Sequence, residues 1–505
     1  MSLTVLRTLG GGPYAEVGRP TVSASSPDGE RVAIAGELGS LYWPGDATLT
    51  GTRGHRLGVY RDGSCEWLVQ PRWPVRSLAF HPGLPLLAIG IGSYDGGFSF
   101  EGDLLLLDLG TGKVIEALGR NGREVRQVEW ADTHTLRVLV APLDDDELDE
   151  KAHTHSYPME ITGDDWTAWP RIELPHTADS MVEYPTPPLD QTLTEFEWSG
   201  RTHVWAVECL DDGRVLAALE SRELECWGVD GELEWEIAEG SSGRQIALSA
   251  DGLTAWVNSE WPDDFGTSRD LVLLATGQII EEVEFDGATT MTSSLGWIAL
   301  RGTAPKPGRL TLVDAFGDVA EGPELTGFDP ANHPFAIRRA TELLFLQGDE
   351  DKPWRNKWVV AVDPYALTVR RLFPLDWQGS RQLFGGPGVM LEDDLVHAGT
   401  VYDSSGLQPG GSFVVRRALA DGSAYWVFTT DSPATAIGEL NGVLYVGYAN
   451  GDLVALDAAL GNVRWRTRFT LDGQPAIPLS LATAAPNRLV IGTTDGRIAD
   501  CRIRR

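Results

Sequence analysis

Short hydrophobic runs separated by polar turn residues recur along the whole chain. In the clearest example, residues 443–448 and 453–456 are rich in Val, Leu and Tyr, and an Asn-Gly pair precedes each run. Runs of this length and composition are typical of β-strands, and Asn-Gly is a strong signal for a tight hairpin turn. Because an isolated hairpin is only marginally stable in water, the pattern predicts a larger β-sheet structure around it.

The same strand–turn–strand pattern repeats along most of the sequence. An early copy, residues 75–118, holds four such runs, with turns at His81-Pro82-Gly83 and Gly110-Thr111-Gly112. Repeats of roughly 40–55 residues indicate a series of similar four-stranded units rather than unrelated domains. Further copies, some of them weak, fall at residues 21–69, 125–140, 204–237, 245–285, 289–320, 335–373, 381–428, 433–469 and 488–498.

The two ends of the chain complement each other. Residues 3–9 form an isolated strand with no partner nearby in sequence, while the last unit, 476–505, is too short for four strands. A ring of sheets removes its open edges by pairing an N-terminal strand with C-terminal ones. We therefore predict an all-β fold, a β-propeller of four-stranded antiparallel blades in which residues 3–9 complete the last blade. About eight blades are expected, within a range of roughly seven to ten.

The domain organisation follows from the same repeats. We predict a single β-propeller over residues 1–505, interrupted by an extended connector at 170–195 that is rich in proline. The alternative is two smaller propellers or lobes divided at that connector.

Charge narrows the classes of partner. The formal net charge is -32 and the pI is about 4.6, which argues against nucleic acid and against an anionic membrane surface. A partner protein with a basic surface is compatible with this charge, although solubility alone also explains it. The five lysines among 41 basic residues suggest a GC-rich bacterial genome.

The compartment is predicted from three features. The first residues lack a basic segment followed by an apolar core, so no signal peptide is expected. Apolar runs such as 104–107 are too short to span a bilayer. The four cysteines show no CxxC pair, which favours free thiols in a reducing cytoplasm.

Two propeller repeat families are similar to parts of this chain. Residues 442–457, with Gly461 and Trp465, resemble the quinoprotein (PQQ-like) repeat, and 488–498 is a weaker copy. The earlier half resembles WD40-type blades through Ser26-Pro27-Asp28-Gly29 and Phe80-His81-Pro82-Gly83, although it lacks their Gly-His and Trp-Asp pairs. Both resemblances imply an architecture and no particular activity, because propellers host unrelated functions.

No cofactor is expected. A quinone enzyme of the resembled family would need an export signal, an acidic metal-binding cluster and a tryptophan stacked beneath the quinone, and the export signal is absent. The tryptophans of the repeat strands are instead interpreted as packing between neighbouring blades. They are Trp67, Trp130, Trp235, Trp426 and Trp465.

One weak candidate for a metal site lies in an acidic segment. Asp144 and Asp146 are followed by His153 and His155, which would share one face if they lay on a strand. The spacing matches neither an EF-hand loop nor a zinc signature. A solvated loop at a blade rim is therefore the favoured interpretation, and no metal is expected.

Two inserted loops are candidates for partner binding. They carry aromatic residues together with the one local group of two lysines and an arginine, and Trp and Arg are enriched at binding hot spots. Local packing of each loop explains the same residues and is the simpler interpretation. The candidate residues are Trp261, Phe265, Trp354, Arg355, Lys357 and Trp358.

The resulting hypothesis is a non-enzymatic, cytoplasmic β-propeller scaffold. It would bind a partner protein through rim loops, as a component of a bacterial multi-protein system. The sequence contains no Walker A, HExxH, GxSxG or GxGxxG motif. Two alternatives stay open, since side chains from different blades can converge without a motif: a propeller enzyme (hydrolase, lactonase or lyase) and a small-ligand sensor, each with a site at the central channel. The oligomeric state is not predicted.

Overall fold

The chain is an all-β structure, as predicted. The computed structural model describes residues 2–38, 54–96, 98–118, 122–143, 150–163, 165–166, 181–184, 200–220, 222–238, 242–249, 251–260, 266–286, 289–294, 296–302, 308–314, 317–329, 335–377, 383–403 and 406–504. In these ranges helix is limited to a 3-10 turn, Ala15–Val17, and to α1, Glu150–Thr154. Neither helix is long and apolar enough to cross a membrane.

The first strand, β1 (Ser2–Leu9), pairs with the last strand of the chain rather than with its neighbours in sequence. Leu3 lies opposite Ile503 and Leu9 opposite Ile498, in an antiparallel ladder. The Arg7 guanidinium holds this arrangement by bonding the Asp500 carboxylate at 2.9 Å. The predicted pairing of residues 3–9 with the C-terminal blade is therefore confirmed.

A small unit is formed by the described residues of Gly12–Ser40 and Arg53–Gly200. Its strands make three sheets, in which β2 contacts β6 and β6 contacts β10. The sheets are β2 (Arg19–Ser25), β3 (Arg31–Glu37), β4 (His55–Arg61) and β5 (Ser64–Val69); β6 (Val75–Phe80), β7 (Leu86–Tyr94), β8 (Phe100–Asp108) and β9 (Val114–Glu116); and β10 (Val125–Trp130), β11 (Thr135–Val140), β12 (His155–Thr162) and β13 (Val182–Glu183).

A large unit is formed by the described residues of Met1–Gly11 and Arg201–Arg505. Its first three sheets are four-stranded and antiparallel. They are β14 (Val204–Cys209), β15 (Val215–Leu219), β16 (Arg222–Trp227) and β17 (Leu233–Ile237); β18 (Ser242–Leu248), β19 (Thr254–Glu260), β20 (Gly266–Leu273) and β21 (Gln278–Asp286); and β22 (Thr289–Ser294), β23 (Trp297–Gly302), β24 (Arg309–Val313) and β25 (Val319–Glu324).

The next two sheets depart from this plan. A short strand, β26 (Ile337–Arg338), precedes a three-stranded sheet of β27 (Leu343–Gln347), β28 (Trp358–Asp363) and β29 (Thr368–Pro374). β26 instead joins a six-stranded sheet with β30 (Leu383–Phe384), β31 (Gly388–Leu391), β32 (Asp394–Asp403), β33 (Gly406–Ala418) and β34 (Ala424–Thr430).

The C-terminal part returns to the regular plan. One sheet contains β35 (Ala434–Leu440), β36 (Val443–Tyr448), β37 (Asp452–Asp457) and β38 (Val463–Arg468). A short hairpin of β39 (Thr470–Leu471) and β40 (Gln474–Pro475) follows. The last sheet contains β41 (Pro478–Ala484), β42 (Arg488–Thr493) and β43 (Ile498–Arg504), completed by β1.

Sheets of the large unit pack in an order that returns to its start. β14 contacts β18, β18 contacts β22, and β22 contacts β27. The β27 and β31 sheets share a hydrophobic cluster that includes Phe373 and Phe413. β31 then contacts β35, β35 contacts β41, and β41 contacts β14. Eight four-stranded antiparallel sheets are present in the described residues of the whole chain, which is consistent with the predicted propeller.

A β-bulge recurs near the start of the first strand in most sheets. It lies between the paired residues 20 and 22, 75 and 77, 125 and 127, 204 and 206, 243 and 245, 434 and 436, and 478 and 480. A polar side chain close to the bulge can then bond the neighbouring first strand: Gln245 accepts from Met291 N–H at 2.8 Å, and Ser480 donates to the Val204 carbonyl at 2.7 Å. The inner strands of adjacent sheets are thereby tied together.

Tryptophan side chains join neighbouring sheets, four of them from the last strand of a sheet and Trp130 from a first strand, β10. Trp235 and Trp426 each lie against a glycine of the next sheet's turn, and a β-carbon on Gly277 or Gly461 would come within 2.6 Å of the ring. Trp67 lies against Gly112 in the same way. Trp130 donates to the Ala79 carbonyl of the preceding sheet at 3.1 Å, and Trp465 packs between the β35 and β41 sheets. The packing interpretation of these tryptophans is confirmed.

Cys65, Cys209, Cys226 and Cys501 are free thiols, as predicted. Burial raises the pKa of Cys226 to about 11 and that of Cys501 to about 12. The predicted connector at 170–195 lies outside the described residues except for 181–184. One propeller over 1–505, or two lobes divided near that connector, therefore stays a prediction.

Candidate functional site

The segment between β27 and β28 contains four of the sequence candidates. Gln347 pairs with Trp358 across the hairpin, so residues 348–357 form its connecting loop. Trp354 is 37% exposed and Arg355 is exposed, whereas Lys357 is only 3% exposed. Trp358 opens β28 and packs against the cluster shared by the β22 and β27 sheets. The four residues therefore divide into an exposed pair and an inward-facing pair.

Hydrogen bonds within the loop fix its conformation. The Asp349 N–H donates to the Arg355 carbonyl at 3.1 Å, and the Arg355 N–H donates to the Lys352 carbonyl at 2.8 Å. Asn356 has a φ of 47°, in the left-handed region that Asn tolerates better than most residues. Its amide donates to the Asp349 carboxylate at 2.7 Å. The loop is thus a defined turn structure rather than a loose insertion.

Lys357 supports the exposed turn from beneath. Its ammonium donates to the Trp354 carbonyl at 2.8 Å. Burial lowers the pKa of Lys357 to about 8, partly offset by the charge of Asp329. The side chain is therefore mainly protonated at neutral pH. It acts inside the loop, so this partner-binding candidate supports the exposed turn and is not itself a surface contact.

The second candidate loop contains Trp261 and Phe265, between β19 and β20. Both residues lie outside the described part of the chain, and their role in partner binding stays a prediction.

The histidines of the metal candidate lie on two different elements. His153 belongs to α1, and its ring contacts Tyr94 and Phe100 edge-on at centroid distances of 4.9 and 5.1 Å. His155 opens β12, with Nδ1 2.9 Å from the Thr154 hydroxyl. The two rings do not share one face of a strand, because α1 ends between them.

The metal prediction itself is not settled by these positions. Asp144 and Asp146 lie outside the described residues. Among the residues that the structure describes, no group of three or more His, Cys, Asp or Glu side chains is arranged to hold a metal ion.

A stacked group that the sequence did not predict lies at the start of β14. The Trp205 ring is stacked with His203 at 5.1 Å, and the Arg244 guanidinium carbon lies 4.2 Å from its centre. Glu220 accepts from the Trp205 indole at 2.5 Å and pairs with Arg244 at 3.1 Å. Burial lowers the pKa of His203 to about 3, so its ring is neutral. Trp205 and Arg244 are bulge residues of adjacent sheets, which brings them together although they are far apart in sequence.

A second unpredicted group is centred on β26. Arg338 donates to the Val207 carbonyl at 2.6 Å and to the Glu208 carboxylate at 2.5 Å, both on β14. Arg339 donates to Glu439 on β35 at 2.9 Å and to the Thr483 hydroxyl on β41 at 3.1 Å. These two consecutive residues therefore contact the first strands of three other sheets. No sequence motif marks them, because their partners are separated from them by a hundred residues or more.

Comparisons with known proteins identify no family. No protein-family model matches the chain, and no curated protein matches it. Among solved structures, the chain is similar to the computationally designed Ika8 protein, with a TM-score of 0.41, 14% identity, and coverage of 60% of this chain and 97% of that one. It is also similar to a chain of the mitotic checkpoint complex, with a TM-score of 0.45, 10% identity, and coverage of 61% of this chain and 94% of that one.

These likenesses are too weak to carry an argument about function. The class of protein is defined by the sheets themselves, which are repeated four-stranded antiparallel units consistent with a β-propeller. The quinoprotein and WD40 families remain resemblances in sequence, and membership of either is not shown.

Proposed function

We propose that this protein is a non-enzymatic, propeller-like scaffold that binds a partner protein through the exposed turn at Trp354 and Arg355. A bacterial multi-protein system is the expected setting. The observation that carries the proposal is the buried Lys357 ammonium, which supports the Trp354 carbonyl from inside the loop.

The length of this loop favours a recognition role over simple connection. Two residues suffice to close a hairpin, yet residues 348–357 separate the paired Gln347 and Trp358. Ordering a longer loop costs conformational entropy, and burying an ammonium costs solvation free energy. A loop that only joined two strands could be shorter and would not require a buried ammonium.

The exposed side chains are of the kind that binds protein. Trp and Arg supply much of the binding energy at interfaces when they enter pockets on the partner. Because hydrogen bonds already fix the loop, less entropy is lost when it docks. In the described part of the chain no ion pair is formed by Arg355, so its charge is available to a carboxylate of the partner. Trp261 and Phe265 remain predicted contacts of the same kind.

The charge of the whole chain suggests what surrounds this contact on the partner. A net charge of -32 attracts a basic surface and accelerates its association. We therefore expect a partner that is basic overall, with an acidic or polar pocket at the point where Arg355 docks.

The test is affinity purification from the native host, followed by measurement of the dissociation constant with the purified partner. Replacing Trp354 and Arg355 by alanine should weaken binding by about a hundredfold or more, because each is expected to act as a hot spot. Thermal stability should stay close to that of the wild type, since both side chains are exposed.

A matched control is Tyr365→Ala, at the opposite end of β28. Tyr365 is 81% exposed, and its replacement should leave binding unchanged. Equal affinity of the double variant and the wild type would overturn the proposal, as would turnover of a small molecule with no specific partner recovered.

A further inference from the structure

β26 occupies a position that the repeat does not predict. It directly precedes β27, where the other sheets have their innermost strand, yet it pairs with β31 of the following sheet. Ile337 lies opposite Gly388 and Arg338 opposite Val389, in the one parallel ladder among the described strand pairs. Segments that depart from the regular structure of a fold are often functional sites, and β26 is such a segment.

The residue after β26 adopts a conformation that its side chain disfavours. Arg339 has a φ of 54°, in the left-handed region that glycine enters most readily. The backbone therefore gains nothing from an arginine at this position, and the bonds that its side chain makes offset the strain. Backbone outliers of this kind are found preferentially at ligand and active sites.

The partners of Arg339 fix one edge of its guanidinium. Glu439 accepts from Arg339 through Oε2 and from the Gly442 N–H through Oε1 at 2.8 Å. Thr483 accepts from Arg339 and donates to the Glu439 carbonyl at 2.8 Å. Both Glu439 oxygens are therefore engaged, and the carboxylate is held on the protein side of the guanidinium. The Arg339 side chain is nevertheless 52% exposed.

Arg338, the preceding residue, supplies a second partly exposed guanidinium. Its Nη2 donates to the Val207 carbonyl and to the Glu208 carboxylate, and the Arg338 side chain is 29% exposed. A guanidinium has five N–H donors, and two are used by each arginine within the described part of the chain. Burial raises the pKa of Glu208, and the charges of Arg338 and Arg339 oppose that rise, so both guanidinium groups act on this one carboxylate.

We propose that Arg338 and Arg339 form a binding site for an oxyanion, either the carboxylate or the phosphate group of a small molecule. The planar fork of a guanidinium donates two parallel hydrogen bonds to such a group. The ligand would occupy the exposed edges of both side chains, opposite the edges held by Glu208 and Glu439. This site is separate from the Trp354–Arg355 turn, and its failure would leave the partner-binding proposal intact.

The test is calorimetric titration of the full chain with inorganic phosphate and, separately, with succinate. Ionic strength is held at about 0.15 M with sodium chloride, because long-range repulsion from the acidic chain is then largely screened. One of the two probes should bind to the wild type, and the tighter one identifies the oxyanion. Binding of neither probe overturns the proposal.

Two variants distinguish the contribution of the Arg339 side chain to binding from that of its backbone conformation. Arg339→Gly should relieve the left-handed strain and keep the fold, yet weaken binding roughly tenfold or more through loss of the charged donors. Arg339→Lys keeps the charge but loses the fork, and should also bind more weakly. If both variants bind as tightly as the wild type, the site does not exist.

Arg370→Ala provides the control. Arg370 lies on β29, is 61% exposed, and is paired with Glu342. It matches Arg339 in charge, exposure and partner type, and its replacement should leave oxyanion binding unchanged. A loss of binding as large as that of Arg339→Gly would show a non-specific charge effect and would contradict the proposal.

Discussion

The β35 and β31 sheets are neighbours in the large unit, and they obey the repeat to very different degrees. In the β35 sheet, four antiparallel strands follow one another in sequence order. Its first turn is formed by Asn441 and Gly442, with φ values of 54° and 74°, as the Asn-Gly signal predicts. In the β31 sheet, the innermost strand is taken from an earlier part of the chain and runs parallel to its neighbour.

The difference shows which physical terms decide each level of structure. Turn residues such as Asp457, which accepts from the N–H groups of Ala459 and Leu460, act over a few residues and set the order of strands within a sheet. β26 is held by its ladder with β31, and bonds from Arg338 to β14 and from Arg339 to β35 and β41 add contacts with residues far away in sequence. The regular sheets therefore depend on interactions between residues close in sequence, whereas β26 depends on contacts with residues far away in sequence.

The largest expected effect tests the regular side of this comparison. Gly461 has a φ of 71°, and a β-carbon there would come within 2.6 Å of the Trp426 ring. Gly461→Ala should lower the free energy of unfolding by about 3 kcal/mol, from overlap with the ring together with left-handed strain. Chemical denaturation of both proteins measures the difference.

Gly473→Ala is the matched control for this prediction. Gly473 has a φ of 79°, but a β-carbon added there would meet no atom within 4 Å. Its replacement introduces only the strain of a left-handed backbone and should lower the free energy of unfolding by about 1 kcal/mol. Equal losses in the two variants would show that the tryptophan–glycine contact does not hold the sheets together.

A smaller effect tests the inserted loop of the β27 sheet, through Lys357. The pKa of this group is about 8 in the folded chain, below its ordinary value of 10.5, because of burial. Between these two pH values the unfolded chain binds more protons, so this group makes the free energy of unfolding rise with pH. The rise is about 2 kcal/mol from pH 8 to pH 10, and Lys357→Met should lack it.

Denaturation of the wild type and Lys357→Met at pH 8, 9 and 10 measures this contribution as a difference between the proteins. Other titrating groups cancel in that difference. Parallel pH dependences would mean that the ammonium is not buried beneath Trp354.

The same comparison explains how much of the molecule could be predicted from its sequence. The all-β class, the pairing of residues 3–9 with the C-terminal sheet and the packing of tryptophans such as Trp426 depend on local signals or on free strand edges. All three were predicted. The strand Ile337–Arg338 could not be predicted, because two residues are too few to show an alternating pattern and their partners lie far away in sequence.

The candidate binding residues divide in the same way. Trp354 and Arg355 are exposed, as their candidacy for partner binding requires. Burial of Lys357 was not predicted, because lysine is almost always exposed and its partner here is a backbone carbonyl. The stacking of Trp205 with Arg244 depends on bulges in two sheets, which the sequence pattern does not show.

Amide hydrogen exchange of the complex with its partner tests the central claim most directly. The proposal places the contact on the irregular loop, so amides of residues 348–357 should exchange more slowly in the complex than in the free chain. Amides in the turns of the regular β35 sheet, residues 441–442 and 458–462, should exchange at unchanged rates. Protection of those regular turns, with none at 348–357, would contradict the proposal.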